Sequence, residues 1–258
     1  MIKILKKWVL NLIESVFFGG RKGLDNADEA LRYLPISDYI LNGKLKQPKI
    51  LEVGSGVKGI TPYIPFKVTG VDVSFNGEIA KNLEPVCLSG DKLPFPDNSF
   101  DYVISVDMLE HVSQNKRQDV ITELLRVAGN RVFLAVPCGK LAELHDKALD
   151  ELYQRAKGER YHFFQEHIEN GLPVKEELVS CIKNSAEQLK AKVNVRVMGN
   201  VNLKVRASLM RLWITSKNPK LYAWISPFIC IVRNFLNYGE CYRQIFIIDL
   251  IRGEQKSE

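Results

Sequence analysis

The residues with the clearest chemical potential are three glycines that follow a short apolar run. Residues 50–59 read Ile-Leu-Glu-Val-Gly-Ser-Gly-Val-Lys-Gly and hold a complete G-x-G-x-x-G pattern at Gly54, Gly56 and Gly59. A buried strand that ends in such a turn can press its backbone against a ligand, because glycine has no Cβ and adopts positive φ without strain. Alone, the pattern indicates a nucleotide-like ligand and nothing finer.

Two carboxylates near these glycines narrow the ligand. Asp72 follows the glycines at roughly the 20-residue spacing of an acid that holds a pair of ribose hydroxyls. Glu52 stands just before Gly54, where a carboxylate suits a cationic amino group better than a pyrophosphate. A nicotinamide dinucleotide would account for Asp72 but would leave Glu52 unexplained, so the pair favours an adenosyl cofactor that carries an amino group.

A longer motif follows, which reads Leu-Pro-Phe-Pro-Asp-Asn-Ser-Phe-Asp over residues 93–101 and Leu-Glu-His-Val over residues 109–112. With the glycine loop, Glu52 and Asp72 in the same order, residues 50–137 resemble the class I S-adenosylmethionine-dependent methyltransferases that share this motif. The resemblance covers about a third of the chain. It implies a Rossmann-like fold with S-adenosyl-L-methionine as the cofactor.

The resemblance also implies which residues contact the cofactor. They fall into groups, each for one part of the cofactor: Glu52, Gly54, Ser55 and Gly56 at the methionine part, Asp72 and Val73 at the ribose, Asp91 and Lys92 at the adenine, and Val106 and Asp107 under the reactive methyl group. Glu110 and His111, which end the motif, are interpreted as packing residues of the next helix.

Candidate catalytic residues lie in an aromatic-rich stretch further on, which we expect to hang over the substrate pocket. His162, Glu166 and His167 could orient the acceptor or remove its proton, and His167 is favoured because it adjoins Glu166. The alternative is a lid helix whose histidines make structural hydrogen bonds only. His162 and His167 could bind a metal ion only with a third ligand, and none is evident in the sequence, so no metal site is predicted.

The elements that position these residues alternate between strand and helix. Strands are predicted at residues 49–53, 67–71, 101–106 and 131–136, with helices or short helical turns at 59–65, 76–83 and 119–128, and two further strands at 192–198 and 241–250. Such alternation predicts a doubly wound α/β sheet whose ligands bind beyond the carboxyl ends of its strands. The resemblance completes it to a Rossmann-like, seven-stranded, mostly parallel sheet with an antiparallel last strand.

The chain is predicted to divide around this sheet. The parts are N-terminal helices over residues 1–45, a methyltransferase core over 46–200 and 241–252, a helical cap insertion over 201–240, and a polar tail over 253–258. The first helix is amphipathic, with Glu14 on its polar face, and either packs on the domain, forms a dimer seam or lies on a membrane. The insertion caps an apolar acceptor pocket, docks on anionic lipid or serves as packing.

Composition excludes several classes of protein. The net charge of +6 over 258 residues is too small to indicate nucleic-acid binding without a clustered basic stripe. The five cysteines are scattered and odd in number, which is typical of buried thiols in a reducing compartment rather than of disulfides or a zinc site. We therefore expect a cytoplasmic monomer or homodimer, with peripheral membrane contact left open.

The expected reaction follows from the cofactor. A sulfonium methyl group is transferred by in-line displacement, which requires alignment and sometimes a base. The strand predicted at residues 101–106 ends in the sequence Ser-Val-Asp-Met over residues 105–108, unlike the Asn-Pro-Pro-Tyr type of sequence associated with amide or base N-methylation. This favours transfer to oxygen or carbon of a small-molecule or lipid-linked acceptor. The alternatives are a non-catalytic cofactor-binding scaffold and, less favoured, an NAD-dependent oxidoreductase.

Overall fold

The computed structural model describes residues 2–88, 92–216 and 219–251. Its strands form one seven-stranded sheet in the order β3-β2-β1-β4-β5-β7-β6, in which β7 runs antiparallel to both neighbours and the pairs from β3 to β5 are parallel. The strands are β1 (Ile50–Val53), β2 (Val68–Asp72), β3 (Leu83–Cys87), β4 (Phe100–Val106), β5 (Ala128–Pro137), β6 (Lys192–Asn202) and β7 (Cys241–Ile251). The predicted fold class is confirmed.

Helices cover both faces of this sheet. They are α1 (Ile2–Phe18), α2 (Ala27–Leu41), α3 (Arg117–Val127), α4 (Lys140–Lys157), α5 (His162–Asn170), α6 (Lys175–Gln188), α7 (Leu203–Thr215) and α8 (Pro219–Ile231). Within the described ranges, none of these helices has the length and apolar character needed to cross a membrane. The insertion before β7 consists of α7, which packs against α4, and α8, which packs against α1 and α2.

The core consists of two apolar layers separated by the sheet. On β1, Ile50 packs into the layer that contains α2, whereas Leu51 and Val53 pack into the layer that contains α3 and α6. Successive side chains of a strand point to opposite faces, so a strand covered on both sides must be apolar throughout. Each such side chain contributes about 2–5 kcal/mol, judged by the cost of truncating it to alanine.

Two connections differ from the prediction. Residues 76–83 were expected to be helical, but they form an open loop that leads into β3, a strand that the sequence analysis did not place. The predicted helical turn over 59–65 is present, as the three-residue 3-10 turn Thr61–Tyr63 with a proline at its start. Gly77 at φ +124° and the exposed side chains of Val73 and Ile79 explain why the first of these loops forms no packed helix.

Two predictions of burial also need correction. Glu14 was expected on the polar face of α1, but its side chain is buried and pairs with Lys22 Nζ at 2.7 Å. Leu12, Val16 and Phe17 are exposed instead. The predicted burial of the thiols is correct for three cysteines and wrong for Cys87, which is exposed at the end of an edge strand.

Candidate functional site

The glycine loop begins where β1 ends. Gly54, Gly56 and Gly59 have φ values of +79°, +54° and +47°, in the left-handed region that other residues rarely adopt. A Cβ on Gly54 would lie 2.5 Å from Met108 Cγ, and one on Gly59 would overlap the carboxylate of Glu52. A Cβ on Gly56 would meet nothing within 4 Å. Two glycines are therefore required by packing beneath the loop, and the third leaves open space beside it.

The amide groups of this loop are already in use. The N–H groups of Gly54 and Ser55 donate to the carbonyl oxygen of Val71 at 2.8 and 3.3 Å, and that of Gly56 donates to Asp72 Oδ2 at 2.8 Å. A pyrophosphate-binding loop instead directs free N–H groups, and usually the start of an α-helix, at its ligand. Here a short 3-10 turn follows the loop. The loop therefore suits a ligand without a pyrophosphate.

Asp72 is free to accept further hydrogen bonds. Its Oδ2 accepts from Gly56 and its Oδ1 accepts from the N–H of Val73 at 2.8 Å, so each oxygen retains a second lone pair for a hydroxyl group. The Val73 side chain is 76% exposed and provides an apolar surface beside it. Asp91, the residue implied for the adenine, lies outside the described residues, and Lys92 is exposed next to that gap.

Glu52 lies beneath the loop. Its side chain is fully buried, its Oε2 accepts the N–H of Ile60 at 2.7 Å, and the buried Tyr33 hydroxyl lies beside the carboxylate, whose Oε1 has no partner at hydrogen-bond distance. Burial raises the pKa of Glu52 to about 7. Ser55 donates to the carbonyl oxygen of Gly56, so its side chain also stabilises the loop. A buried carboxylate oxygen without a donor fits the ammonium group of an amino-acid moiety, and the site therefore fits S-adenosylmethionine.

The Leu-Pro-Phe-Pro-Asp stretch of residues 93–97 is held by α3. Arg126 donates to the carbonyl oxygens of Leu93 and Phe95 at 3.0 and 2.8 Å, and Glu123 accepts the N–H of Leu93 at 2.9 Å. Arg126 and Glu123 also pair with each other at 2.7 Å. Neither residue was predicted from the sequence, although a Glu and an Arg three positions apart on a predicted helix indicate an ion pair.

Asp107 follows β4 and is clamped by two arginines. Arg243 of β7 donates to both of its carboxylate oxygens, and Arg32 Nη1 of α2 lies 3.3 Å from Oδ2. Burial would raise the pKa of Asp107, but Arg243 and Arg32 outweigh it and hold this pKa below its usual range. Val106, just before it, is buried. The sequence placed Asp107 at the site, but nothing in the sequence indicated its two partners.

A second buried aspartate, Asp146 of α4, collects three donors. Tyr242 Oη donates to Oδ2 at 2.7 Å, Arg206 Nη1 donates to Oδ1 at 3.0 Å, and His167 Nδ1 lies 2.8 Å from Oδ2. Burial would raise the pKa of Asp146, but Arg206 and these hydrogen bonds hold it well below its usual range. We call Arg32, Asp107, Asp146, Arg206 and Arg243 together the arginine–aspartate network.

The three candidate catalytic residues lie on α5 in different surroundings. Glu166 is partly exposed, with Oε2 2.5 Å from His111 Nδ1 and Oε1 3.1 Å from His162 Nε2. The side chain of His162 is 70% exposed and lies at the rim. His167 is buried against Asp146. The structure therefore brings Glu166 and His167 together with His111, which the sequence analysis had interpreted as a packing residue.

Glu110 differs most from its predicted role. It was expected in a helix as a packing residue, but it lies in the 3-10 turn Leu109–His111, fully buried, with neither carboxylate oxygen in a hydrogen bond. Burial and the nearby Asp107 raise the pKa of Glu110 well above its ordinary value. In the sequence, the only signal for a functional Glu110 was its position next to His111 in the Leu-Glu-His-Val motif.

Comparison with known proteins supports the resemblance. Residues 51–136 match a family model described as a methyltransferase domain. The match confirms the resemblance to the class I S-adenosylmethionine-dependent methyltransferases, and with it the cofactor. No curated protein that was compared with the chain matches it.

Solved structures with a similar fold are distant in sequence. One is a S-adenosylmethionine-dependent methyltransferase of Thermotoga maritima described as a possible histamine N-methyltransferase, at 14% identity and a TM-score of 0.49, covering 96% of this chain and 99% of that one. A structure described as phospholethanolamine N-methyltransferase 2 of Haemonchus contortus, in complex with phosphomonomethylethanolamine and S-adenosylhomocysteine, is 17% identical at a TM-score of 0.48, covering 85% of this chain and 53% of that one. A methyltransferase of Aquifex aeolicus is 16% identical at 0.46, covering 89% and 95%.

Proposed function

Since residues 51–136 carry the domain of the class I S-adenosylmethionine-dependent methyltransferases, we propose that the protein transfers a methyl group from this cofactor to an oxygen or carbon atom of a small-molecule or lipid-linked acceptor. The observation that carries the proposal is the glycine loop with its amide groups already satisfied. Such a loop can pack closely against an adenosyl sulfonium. It cannot bind a pyrophosphate through the N–H groups of residues 54–56, because these already donate to Val71 and Asp72. An NAD-dependent activity is correspondingly disfavoured.

Each residue of the loop region has a role in this proposal. Asp72 accepts the ribose hydroxyls, and Glu52 Oε1 accepts from the ammonium group of the methionine part. When bound, the cofactor supplies an electrophilic methyl group on a sulfonium. The protein then contributes mainly alignment and exclusion of water, because an in-line displacement depends on the near-attack geometry of the two reactants.

We assign binding of the methyl acceptor, on what we call the acceptor side of the site, to α5 and to the insertion that contains α7 and α8. Glu166 is the residue we expect to take a proton where the acceptor must lose one, because its carboxylate is accessible and lies between His111 and His162. His162 at the rim would orient the acceptor, and the enclosed His167 would position α5 through Asp146. We expect α7 and α8 to close over this side as a cap.

An exposed apolar face favours a lipid-linked acceptor over a freely diffusing polar one. Val9 and Leu10 of α1 line a shared groove with Trp224 and Phe228 of α8, so the two helices form one surface. Large apolar side chains of α1, of α8 and of the turn that follows α8 are exposed: Leu12, Val16, Phe17, Leu221, Trp224, Phe228, Val232 and Phe235. Contiguous exposed apolar surface of this kind typically marks contact with a membrane or a partner.

Calorimetric titration tests the cofactor part. We expect S-adenosylhomocysteine to bind the wild-type protein and NAD not to bind it, and Asp72→Ala to weaken the first affinity by about 100-fold, as expected when charge-assisted hydrogen bonds to the ribose are lost. Glu84→Ala, which removes an exposed carboxylate from the neighbouring strand β3, is the matched control. Normal affinity in the Asp72 variant would contradict the proposal.

Transfer of a radiolabelled methyl group tests the acceptor part. The protein is incubated with labelled S-adenosylmethionine and a cell extract that is then partitioned into organic and aqueous phases. We expect label in the organic phase, and we expect Glu166→Gln to slow its appearance while S-adenosylhomocysteine still binds. Label confined to the aqueous phase would contradict a lipid-linked acceptor, and retained binding without any transfer would show a non-catalytic scaffold.

A further inference from the structure

Three side chains that the proposed reaction leaves unused as a group meet beside α5. One carboxylate oxygen of Glu110 and one ring nitrogen each of His111 and His167 lie within 4.8 Å of one another. Glu110 and His167 are buried, whereas the His111 side chain is 26% exposed and leaves a route from solvent. Two imidazoles and one carboxylate form a donor set that zinc and related divalent ions bind in proteins.

Glu110 supplies an independent reason to expect a cation. Its side chain is fully buried, both of its carboxylate oxygens lack a hydrogen-bond partner, and His167 Nε2 lies 3.9 Å from Oε1. Burying a carboxylate without a partner is strongly unfavourable, so native structures pair such groups or coordinate them to metals. Coordination to a divalent ion would give the Glu110 oxygens the partner that they lack.

The histidine rings are oriented for coordination. The ionised Asp146 can only accept hydrogen bonds, so His167 Nδ1 donates to it and the lone pair of His167 resides on Nε2. Glu166 holds His111 Nδ1 at 2.5 Å in the same way. In protein metal sites, a ligating histidine almost always donates its other N–H group to a carboxylate or carbonyl, which fixes the ring and its tautomer. Both histidines already have this outer partner.

We propose that Glu110, His111 and His167 bind one divalent transition-metal ion, for which Zn²⁺ is the best match. Metal–ligand distances of about 2.0–2.2 Å place tetrahedral donors about 3.4 Å apart, so the donors need to close by on the order of 1 Å. Three protein ligands leave a coordination position open, which is the arrangement of catalytic rather than structural zinc sites. Asp146 and Glu166 are positioning residues of this site.

The ligands of this proposed site are far apart in the sequence, which is why no metal site was predicted from it. The histidine closest to His167 in the sequence is His162, five residues earlier on the same helix, but His162 is exposed at the rim and turned to Glu166. The actual partners come from the Glu110–His111 pair, which is more than fifty positions away in the chain. The fold brings them together at the turn that follows β4.

Cobalt spectroscopy on the full chain tests the site without reference to activity. The protein is treated with a chelator, dialysed and titrated with Co²⁺, whose visible d–d absorption reports a site of low coordination number. We expect one Co²⁺ per chain and displacement by one equivalent of Zn²⁺. Glu110→Gln and His167→Ala should weaken Co²⁺ binding by more than about 100-fold, and Asp146→Asn by about 10–100-fold.

His162→Ala is the matched control, because it removes a histidine from the same helix but outside the site, and we expect its Co²⁺ affinity to stay within about twofold of wild type. Glu110→Gln preserves the shape of the side chain and guards against loss of folding, which near-UV circular dichroism checks. Calorimetry with S-adenosylhomocysteine on the same samples keeps the cofactor question separate. Equal Co²⁺ affinity in wild type, Glu110→Gln and His167→Ala, or no absorption change with wild type, would overturn the proposal.

Discussion

The glycine loop and the arginine–aspartate network lie at the same end of the sheet but are assembled differently. In the loop, one strand, its turn and the end of the next strand supply almost every contact, as when Gly54 and Gly56 donate to Val71 and Asp72. In the network, Asp107 is held by Arg243, and Asp146 by Arg206, from elements far along the chain. One part is local in sequence, and the other depends on the finished tertiary structure.

The difference explains why these regions tolerate change differently. The loop consists of backbone hydrogen bonds and glycines, so a substitution there acts through sterics and φ. The network consists of buried and partly buried charges, whose desolvation is offset only while every partner is present. We therefore expect single truncations in the network to be more damaging than added atoms in the loop.

The largest effect should follow from Arg243→Ala. Asp107 would then remain buried with one arginine at 3.3 Å, and breaking a buried ion pair costs about 3–5 kcal/mol of the free energy of unfolding. Denaturant titration measures this loss. Arg196→Ala on β6, whose ion pair with Asp249 is exposed, should cost no more than about 1 kcal/mol. Equal losses in the two variants would remove the distinction between network and surface pairs.

A smaller effect is expected for Gly59→Ala. The added Cβ would overlap the Glu52 carboxylate, and alanine would be held at φ +47°, which it rarely adopts. The two effects together should lower the free energy of unfolding by about 2–4 kcal/mol. Gly158→Ala separates the two causes, because Gly158 has φ +82° but open space around it. Its loss should be about 1 kcal/mol by the same titration. If both variants lose the same amount, the packing of Glu52 under the loop is not the cause.

The pH dependence of the free energy of unfolding should reveal the raised pKa of Glu52. Its pKa in the folded protein is about 7 against an ordinary 4.5. The contribution of Glu52 to the free energy of unfolding is therefore fully present below pH 4.5 and is lost as the pH rises through 7. Glu52→Gln keeps an acceptor for Ile60 but cannot ionise. Between pH 5 and 8 the free energy of unfolding of the wild type should fall by about 2 kcal/mol more than that of the variant. Parallel curves for the two proteins would show that burial does not perturb Glu52.

The smallest effect should come from the apolar face of α1 and α8. Trp224→Ala and Phe228→Ala remove exposed side chains, and stability should change by about 1 kcal/mol or less. Sedimentation with vesicles that contain phosphatidylglycerol should nevertheless show several-fold weaker association of the double variant. Leu144→Ala, which alters an exposed leucine on α4, should leave vesicle association unchanged. Equal sedimentation of all three proteins would rule out this face as a membrane contact.

Much of the first region could be predicted from the sequence, because its determinants are adjacent in the chain. The strands β1, β2, β4 and β5, the glycine turn and Asp72 follow from apolar runs and glycine spacing. The loop before β3 was misread as helical, since sparse apolar residues around Gly77 do not distinguish a loop from a weak helix. The cofactor roles of the loop residues and the division into core and cap stay predictions.

The second region could be predicted only in part, because sequence patterns do not show which distant charges will meet. Asp107 was predicted from the sequence as a cofactor residue, but its partner Arg243 and the buried Asp146 were not predicted. The neighbouring Glu110 was interpreted only as a packing residue. A buried charge gives no periodic signal, and its partner is determined by the packing of whole elements. The catalytic roles of His162, Glu166 and His167 likewise stay predictions until transfer is measured.

The position of β7 has a consequence for the order in which the molecule folds. This strand is the last of the described elements, yet it inserts between β5 and β6, and its Arg243 lies opposite Pro137. Until it is synthesised and paired, β6 has no strand to adjoin and Asp107 has no Arg243. Such long-range pairing is slow because the closure entropy of the intervening chain must be overcome first. On the ribosome, the parallel part of the sheet can therefore form before β7 has left the exit tunnel, but the acceptor side is completed only once β7 has paired.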